Sequence, residues 1–151
     1  MKKVIILLLV TGLFSCAKLP LQDAERVYSS ELIRDMDYGV VMHVTPVHYD
    51  IPPATIRLEI TNKTDSTIEF GANYTIDRYD TASDEWIEFG PPEGTAVIAI
   101  MYMLEPEKTQ NYNIGLFPDK ISYPPGTYRI TKRIYVNEKN MEYYAPFVLD
   151  E

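Results

Sequence analysis

The sequence predicts an all-β domain, an antiparallel β-sandwich, from three observations. Apolar residues recur at every second position in several stretches, which is the period of a strand with one buried face. Groups of Pro, Gly, Asn and Asp interrupt these stretches at intervals of about 8–12 residues, as turns do. The 12 Tyr and 11 Pro among 151 residues also favour strands and turns over helices. We therefore expect about seven to eight strands packed as two sheets.

The strands are predicted in the last two-thirds of the chain. The clearest one places Ile56, Leu58 and Ile60 on a single face, ahead of a polar turn. The run 96–104 is apolar throughout, and its neighbours favour a buried strand over a buried helical turn. Lys132 interrupts the apolar face of the longest late strand, which predicts a bulge or an edge position there. The predicted strands are residues 54–62, 67–79, 86–89, 96–104, 111–116, 126–136 and 143–149.

The N-terminus has the three parts of an export signal. Lys2 and Lys3 precede an apolar run over residues 4–10, which is shorter than the ~20 residues of a membrane-spanning helix. The segment Leu-Phe-Ser-Cys that ends at Cys16 resembles the lipobox of bacterial lipoproteins. This resemblance implies cleavage after Ser15 and attachment of lipid to Cys16. The alternative is an ordinary signal peptide with an incidental cysteine.

The lipobox divides the chain into a signal peptide (1–15), a lipidated cysteine with its tether (16–36) and a sandwich domain (37–151). Ala17 follows the cysteine, whereas Asp at this position keeps lipoproteins at the inner membrane in enteric-type bacteria, so the outer membrane is favoured. Cys16 is the only cysteine. No intramolecular disulfide can form, and the domain must be stable through its core alone.

The charge of the chain excludes one class of partner. The formal net charge is −8, and no basic run is longer than two residues. Nucleic acid and anionic lipid surfaces are therefore unfavourable partners. We expect the membrane to be contacted through the lipid anchor only.

Several segments together look like a bacterial immunoglobulin-like (Ig-like) domain, of the kind found singly in lipoproteins and appended to membrane-anchored sensors and peptidases. The segments that carry this resemblance are residues 60–62, 68–74, 76–79, Trp86, 104–106 and 116–130. The resemblance covers roughly residues 37–150 and implies an Ig-like sandwich with no catalytic residues and no settled ligand. Glu107 departs from the family pattern, which often has Gly after Leu-x-Pro, and this leaves the turn type there open.

Tyr128 is expected to have a structural role. It follows the turn Pro-Pro-Gly and resembles the tyrosine corner of Ig-like sandwiches, in which the phenol donates a hydrogen bond to the backbone across the corner. The alternative is a plain aromatic residue at the start of a strand.

The sequence offers no catalytic or metal-binding pattern. His43 and His48 are five residues apart, with Asp50 nearby, so on one strand they would point to opposite faces. Asp84 and Glu85 fall in a predicted hairpin loop, where solvated turn residues are expected rather than an acid–base pair. Neither histidine follows a serine nucleophile, and no glycine-rich phosphate loop is present. We expect no enzyme activity, no metal and no cofactor.

The leading hypothesis is a non-enzymatic binding or accessory module that contacts another envelope protein through an edge strand or a tyrosine-bearing face. Tyr79 and Trp86 are the first candidates for the contact surface, although Trp86 could also be core. The alternative is a glycan-binding surface lipoprotein, which would need two or three coplanar exposed aromatics. Ser66 and Thr81 lie in segments that resemble the O-glycosylation acceptor of exported proteins in one lineage of gut-type bacteria.

Overall fold

The structure is a computed structural model that describes residues 39–96 and 99–150. This part of the chain is built of strands, with no helix, and the predicted all-β fold is confirmed. Within it, no helix has the length and apolarity required to span a bilayer. The strands are β1 Val40–Thr45, β2 His48–Tyr49, β3 Thr55–Asn62, β4 Ile68–Gly71, β5 Thr75–Asp80, β6 Glu85–Gly90, β7 Met101–Leu104, β8 Thr109–Gly115, β9 Gly126–Val136 and β10 Lys139–Leu149.

The strands form two sheets. The small sheet has the order β1-β3-β8, and the large sheet has the order β2-β10-β9-β4-β7. Strands β4 and β5 lie one after the other along the same side of β9, and β6 pairs with β5. All pairings are antiparallel except that of the short β2, which runs parallel to β10. The large sheet therefore has two outer strands on one side, β7 and β6.

The core lies between the sheets, and the period-two pattern identifies it correctly. Ile56, Leu58 and Ile60 of β3 are all buried, as are Tyr128 of β9 and Phe147 of β10 in the large sheet. Each large apolar side chain buried in this way contributes about 1.5–3 kcal/mol to folding. The shared core explains the alternation of buried positions along β1 and β3, whereas β10 of the large sheet is buried without interruption from Tyr143 to Phe147.

The prediction of one strand over residues 67–79 is wrong, because the chain leaves the sheet between β4 and β5. Residues 132 and 133 of β9 consequently lack strand partners on that side. The Lys132 side chain occupies the gap from the inner face. Its Nζ donates hydrogen bonds to the carbonyl oxygens of Gly71 at 2.8 Å and Asn73 at 3.0 Å. The alternation keeps its phase across the break, so the sequence pattern does not reveal it.

The predicted bulge or edge position at Lys132 is also wrong. β9 is a central strand, and its register with β10 is continuous from Gly126 to Val136. Only 3% of Lys132 is exposed. Burial lowers the pKa of its ammonium to about 8. The irregularity is the break between β4 and β5, which Lys132 bridges, and not a bulge in β9 itself.

The apolar run 96–104 does not form the predicted buried strand. Only Met101–Leu104 is a strand, and the described residues before it, Ala96, Ala99 and Ile100, are exposed. Within β7 the side chains alternate, so that Leu104 is buried while Met101 and Met103 face solvent. An apolar run that is buried on one face only is unusual, and it makes β7 the least protected part of the sheet.

Candidate functional site

The two residues singled out as a contact surface lie side by side on the β5–β6 hairpin. Tyr79 pairs in register with Trp86, and their ring centroids are 5.3 Å apart. The Tyr79 hydroxyl donates a hydrogen bond to the Asp84 carboxylate in the hairpin loop. Both aromatic side chains are half-buried. The sequence therefore placed two neighbouring aromatics correctly on one hairpin, but their rings are largely engaged within the protein.

Arg129 of β9 occupies one face of Trp86. Its guanidinium carbon lies 4.3 Å from the centroid of Trp86 and 4.0 Å from that of Tyr144. Its Nε donates to Asp77 Oδ2 at 2.9 Å, and Thr131 Oγ1 donates to the same oxygen at 2.6 Å. The side chains of Arg129 and Asp77 are 13% and 11% exposed. This nearly buried ion pair fixes the hairpin to the sheet, which is a structural role.

Tyr128 is completely buried at the start of β9. Its hydroxyl donates a hydrogen bond of 2.6 Å to the carbonyl oxygen of Pro124. Burial raises the pKa of Tyr128 to about 12, and the nearby Arg78 partly opposes that rise. The ring packs against Phe147 and Phe89, at centroid distances of 5.5 Å in each case.

The histidines lie in different sheets, and each faces its own carboxylate. His43 of β1 is 3.3 Å from Glu59, while His48 of β2 is 3.4 Å from Asp150. Among the described residues, Asp50 forms no ion pair with either imidazole. Among the residues that the structure describes, no group of three His, Cys, Asp or Glu side chains could hold a metal ion. Each histidine has the surroundings of a surface ion pair.

The loop carboxylates and the two candidate glycosylation sites lie at the surface. Asp84 and Glu85 are exposed, and Asp84 accepts the hydrogen bond from Tyr79. Thr81 is exposed at the tip of the same hairpin. Ser66 is half-buried, and its Oγ donates to Asn137 Oδ1 at 2.6 Å. Both modification sites stay predictions, with Thr81 the more accessible hydroxyl. Cys16 and the signal peptide lie outside the described residues.

A depression of about 470 Å³ opens on the outer face of the large sheet, at the gap between β4 and β5. Asn73, Arg133, Tyr135, Asn140 and Glu142 are among the residues that line it. Arg133 Nε donates to Glu142 Oε1 at 3.2 Å, so these two charged residues of the depression already form an ion pair with each other. Sequence reasoning missed this depression because its walls come from four separate segments, with no local motif.

The free side of β7 is the second surface that sequence reasoning missed. Ile100, Met101 and Met103 are 42%, 58% and 66% exposed. Among the described residues, β7 pairs with β4 and with no other strand. Its end is held in place by the buried Asn62, whose Nδ2 donates to the carbonyl oxygen of Leu104 at 2.8 Å. A fixed, unpaired and apolar edge can accept another strand.

Two exposed carboxylates flank this edge. Glu69 of β4 pairs in register with Met103, and Glu105 follows β7 directly, two positions after Met103. Both glutamates are exposed, and within the described residues neither forms an ion pair. The β7 surface, defined by Ile100, Met101, Met103, Glu69 and Glu105, is therefore apolar at its centre and negative at its margin.

The comparisons with known proteins bear on the fold. No curated protein matches the chain. A solved structure of the alkylpurine DNA glycosylase AlkC of Pseudomonas fluorescens, bound to DNA containing an abasic site analog, is similar at 13% identity with a TM-score of 0.38. That similarity covers 83% of this chain and only 36% of the glycosylase chain. A family model described as a bacterial Ig-like domain matches residues 37–148, so the chain belongs to the bacterial Ig-like domain family.

Proposed function

We propose that this chain is a non-enzymatic binding module of the cell envelope, anchored by lipid on Cys16, and that it contacts another envelope protein through the β7 surface. The observation that carries the proposal is the exposure of Met101 and Met103 on a strand edge that pairs with nothing else among the described residues. Exposed apolar groups clustered at one place are typical of interaction sites. Membership of the Ig-like family supports a binding role over a catalytic one.

The aromatic side chains support a protein partner over a glycan. Stacking of a sugar chain requires two or three coplanar rings on one exposed face. In the described residues, Tyr135 is the large aromatic that is substantially exposed, at 42%. Tyr79 and Trp86 are half-buried, and their rings are tilted by 56° against each other. The glycan alternative therefore lacks its platform on the surface described.

The anchor part of the proposal rests on the lipobox resemblance. Two or three acyl chains hold a protein at a membrane far more firmly than one, since each buried CH₂ contributes about 0.8 kcal/mol. We expect Cys16→Ser to abolish labelling with radioactive palmitate and to move the protein out of the detergent phase. Persistent labelling of this variant would refute the lipoprotein assignment and leave the binding role of the domain to be judged separately.

The binding role is tested by site-specific photo-crosslinking in the native host. A photoreactive amino acid at position 103 should form a discrete adduct with one envelope protein, identifiable by mass spectrometry. The matched control is the same amino acid at position 51, because Ile51 is exposed to 77% in a loop away from β7. The Met101→Lys substitution should remove the adduct at position 103. Equal adducts at both positions, or an adduct that survives Met101→Lys, would contradict the proposal.

A further inference from the structure

We infer that the partner supplies an extended segment that pairs with the free edge of β7, and that one face of this segment presents apolar residues next to a basic residue. The inference rests on the proposed function, because it specifies the chemistry of the partner at the same surface. It follows from three features of the β7 surface: its backbone, its methionines and its carboxylates.

The backbone of β7 requires a strand as its partner. In an antiparallel pair, alternate residues direct their N–H and C=O groups towards the neighbour, and the others direct them away from it. β4 pairs with one side of β7, and within residues 39–96 and 99–150 no strand pairs with the other side, so its groups are open to a further strand there. Residues 95–104 contain no charged residue and no proline, the two features that usually block such pairing. Main-chain hydrogen bonds would then provide affinity.

The methionines specify apolar neighbours. Met101 and Met103 are two positions apart and point to the same face, so they form a short apolar row along the edge. A residue directly opposite on an added strand would lie with its Cβ atom about 4.5–5.5 Å away. Methionine has a flexible and polarizable side chain that adapts to neighbours of different shape. Two apolar residues at alternate positions of the partner would cover this row.

The carboxylates specify a basic neighbour. Glu105 comes two positions after Met103, so a strand pairing that extends past Leu104 would place it in the row of Met101 and Met103 and set a negative charge opposite the added strand. Glu69 lies one strand further in, beside Met103. A Lys or Arg side chain can lie along a methionine with its aliphatic stem and place its charge near either carboxylate. Neither glutamate forms an ion pair among the described residues, so a basic group of the partner would have a favourable charge interaction with both.

The same charges disfavour a second copy of this chain as the occupant. Pairing β7 with β7 would place no basic residue opposite Glu69 or Glu105, because the strand carries none. The formal net charge of −8 adds a repulsion between copies over longer distances. A different protein with a basic and apolar segment satisfies both requirements.

The test uses the full lipidated protein in detergent and three labelled peptides. The first is Lys-Thr-Val-Thr-Val-Thr-Lys, and the others replace both lysines by Ser or by Glu. The ends of each peptide are alike, so a basic residue reaches Glu105 in either strand direction. By fluorescence anisotropy we expect the Lys peptide to bind about threefold to tenfold more tightly than the Glu peptide, with the Ser peptide between them. Raising the salt concentration should reduce the difference.

A charge reversal makes the test specific for the site. Glu105→Lys should invert the order of the Lys and Glu peptides, whereas Glu85→Lys, an equal change on exposed β6, should leave it unaltered. Equal binding of all three peptides would overturn the basic preference, and binding of none would overturn strand addition. If the crosslink at position 103 forms while no peptide binds, the inference fails and the proposed function stands. If both are missing, both fail.

Discussion

The two outer strands of the large sheet, β6 and β7, have the same position in the topology but different protection. Each pairs with one inner strand, β5 or β4, that in turn pairs with β9. β6 carries Glu85 and Glu88 on its exposed positions, with Ile87 as its one large exposed apolar residue. β7 carries no charge within its bounds. Charges on an edge strand discourage association, so β6 has the pattern of a protected edge, whereas β7 lacks this protection.

The two edges also differ in how they are attached to the sheet. β5 and β6 are held through charged and aromatic contacts on the outer face, with Arg129 between Trp86 and Tyr144. β4 and β7 are held from the inner face, where Lys132 bonds the chain that leaves β4 and its Nζ lies 5.6 Å from the centroid of Phe70. Substitutions at these attachments should therefore affect different properties of the domain.

Asp77→Ala should produce the largest loss of stability, on the β6 side. It removes the carboxylate that accepts hydrogen bonds from Arg129 and Thr131, and so deletes one member of an ion pair that is nearly buried. Removal of one member of a buried ion pair typically costs about 3–5 kcal/mol. Urea denaturation measures the free energy of unfolding. Glu85→Ala is the control, because Glu85 is exposed and should change stability by less than about 0.5 kcal/mol. Similar small losses for both variants would contradict the structural role of the pair.

On the β7 side, the buried Lys132 should make the free energy of unfolding depend on pH. Burial lowers the pKa of Lys132 from 10.5 to about 8 in the folded protein, so between these values the unfolded chain binds more protons than the folded one. Stability then rises with pH across this window, by at most about 1.4 kcal/mol per pH unit. Denaturation midpoints of the native protein and Lys132→Met, compared between pH 8 and 10, measure this contribution. We expect the rise in the native protein only.

Tyrosines set the upper limit of that pH experiment. Burial raises the pKa values of Tyr112 and Tyr123 above the ordinary 10, so their contribution to stability is present below pH 10 and is lost as they ionise at higher pH. Their effect has the opposite sign to that of Lys132. Below pH 10 they add little slope, and the difference between the two proteins isolates the lysine. An identical slope in Lys132→Met would show that the lysine is not buried as a charged group.

Tyr128→Phe should have an intermediate effect, again on the β6 side, because the Tyr128 ring packs against Phe89 of β6. The substitution keeps the ring and removes the hydroxyl that donates to Pro124, which leaves a carbonyl oxygen without this donor. The expected loss is about 1–3 kcal/mol in the free energy of unfolding. Tyr135→Phe is the control, since Tyr135 is exposed on the same strand. Equal denaturation midpoints for the two variants would reject the tyrosine-corner interpretation.

The fold was predictable because its signal is local, whereas the surfaces depend on which strands become neighbours. The alternation of Ile56, Leu58 and Ile60 identifies a buried face without knowledge of the partner strand. The break after Gly71 is invisible in the sequence, since Phe70 before it and Ile76 after it keep the same phase. The apolar run before Leu104 suggested burial, because hydrophobicity does not report whether a strand lies at an edge. Pairing, and not composition, decides that question.

Substitutions of exposed apolar residues on the two outer strands should have the smallest effect on stability. Met103→Lys changes a side chain that is 66% exposed, and Ile87→Lys changes one that is 50% exposed on the other outer strand. Each should alter the free energy of unfolding by less than about 0.5 kcal/mol, because surface substitutions away from buried contacts usually do. Their consequences for binding should nevertheless differ.

On β7 the new lysine places a charge on the edge that the partner must cover, and we expect binding of the Lys peptide to fall by at least about tenfold. On β6 the edge is already charged, so the same peptide should bind Ile87→Lys as it binds the native protein. Urea denaturation and fluorescence anisotropy on the same preparations separate the two properties. If both variants lose binding equally, the peptide recognises the overall charge of the protein, and the distinction between the two edges is wrong.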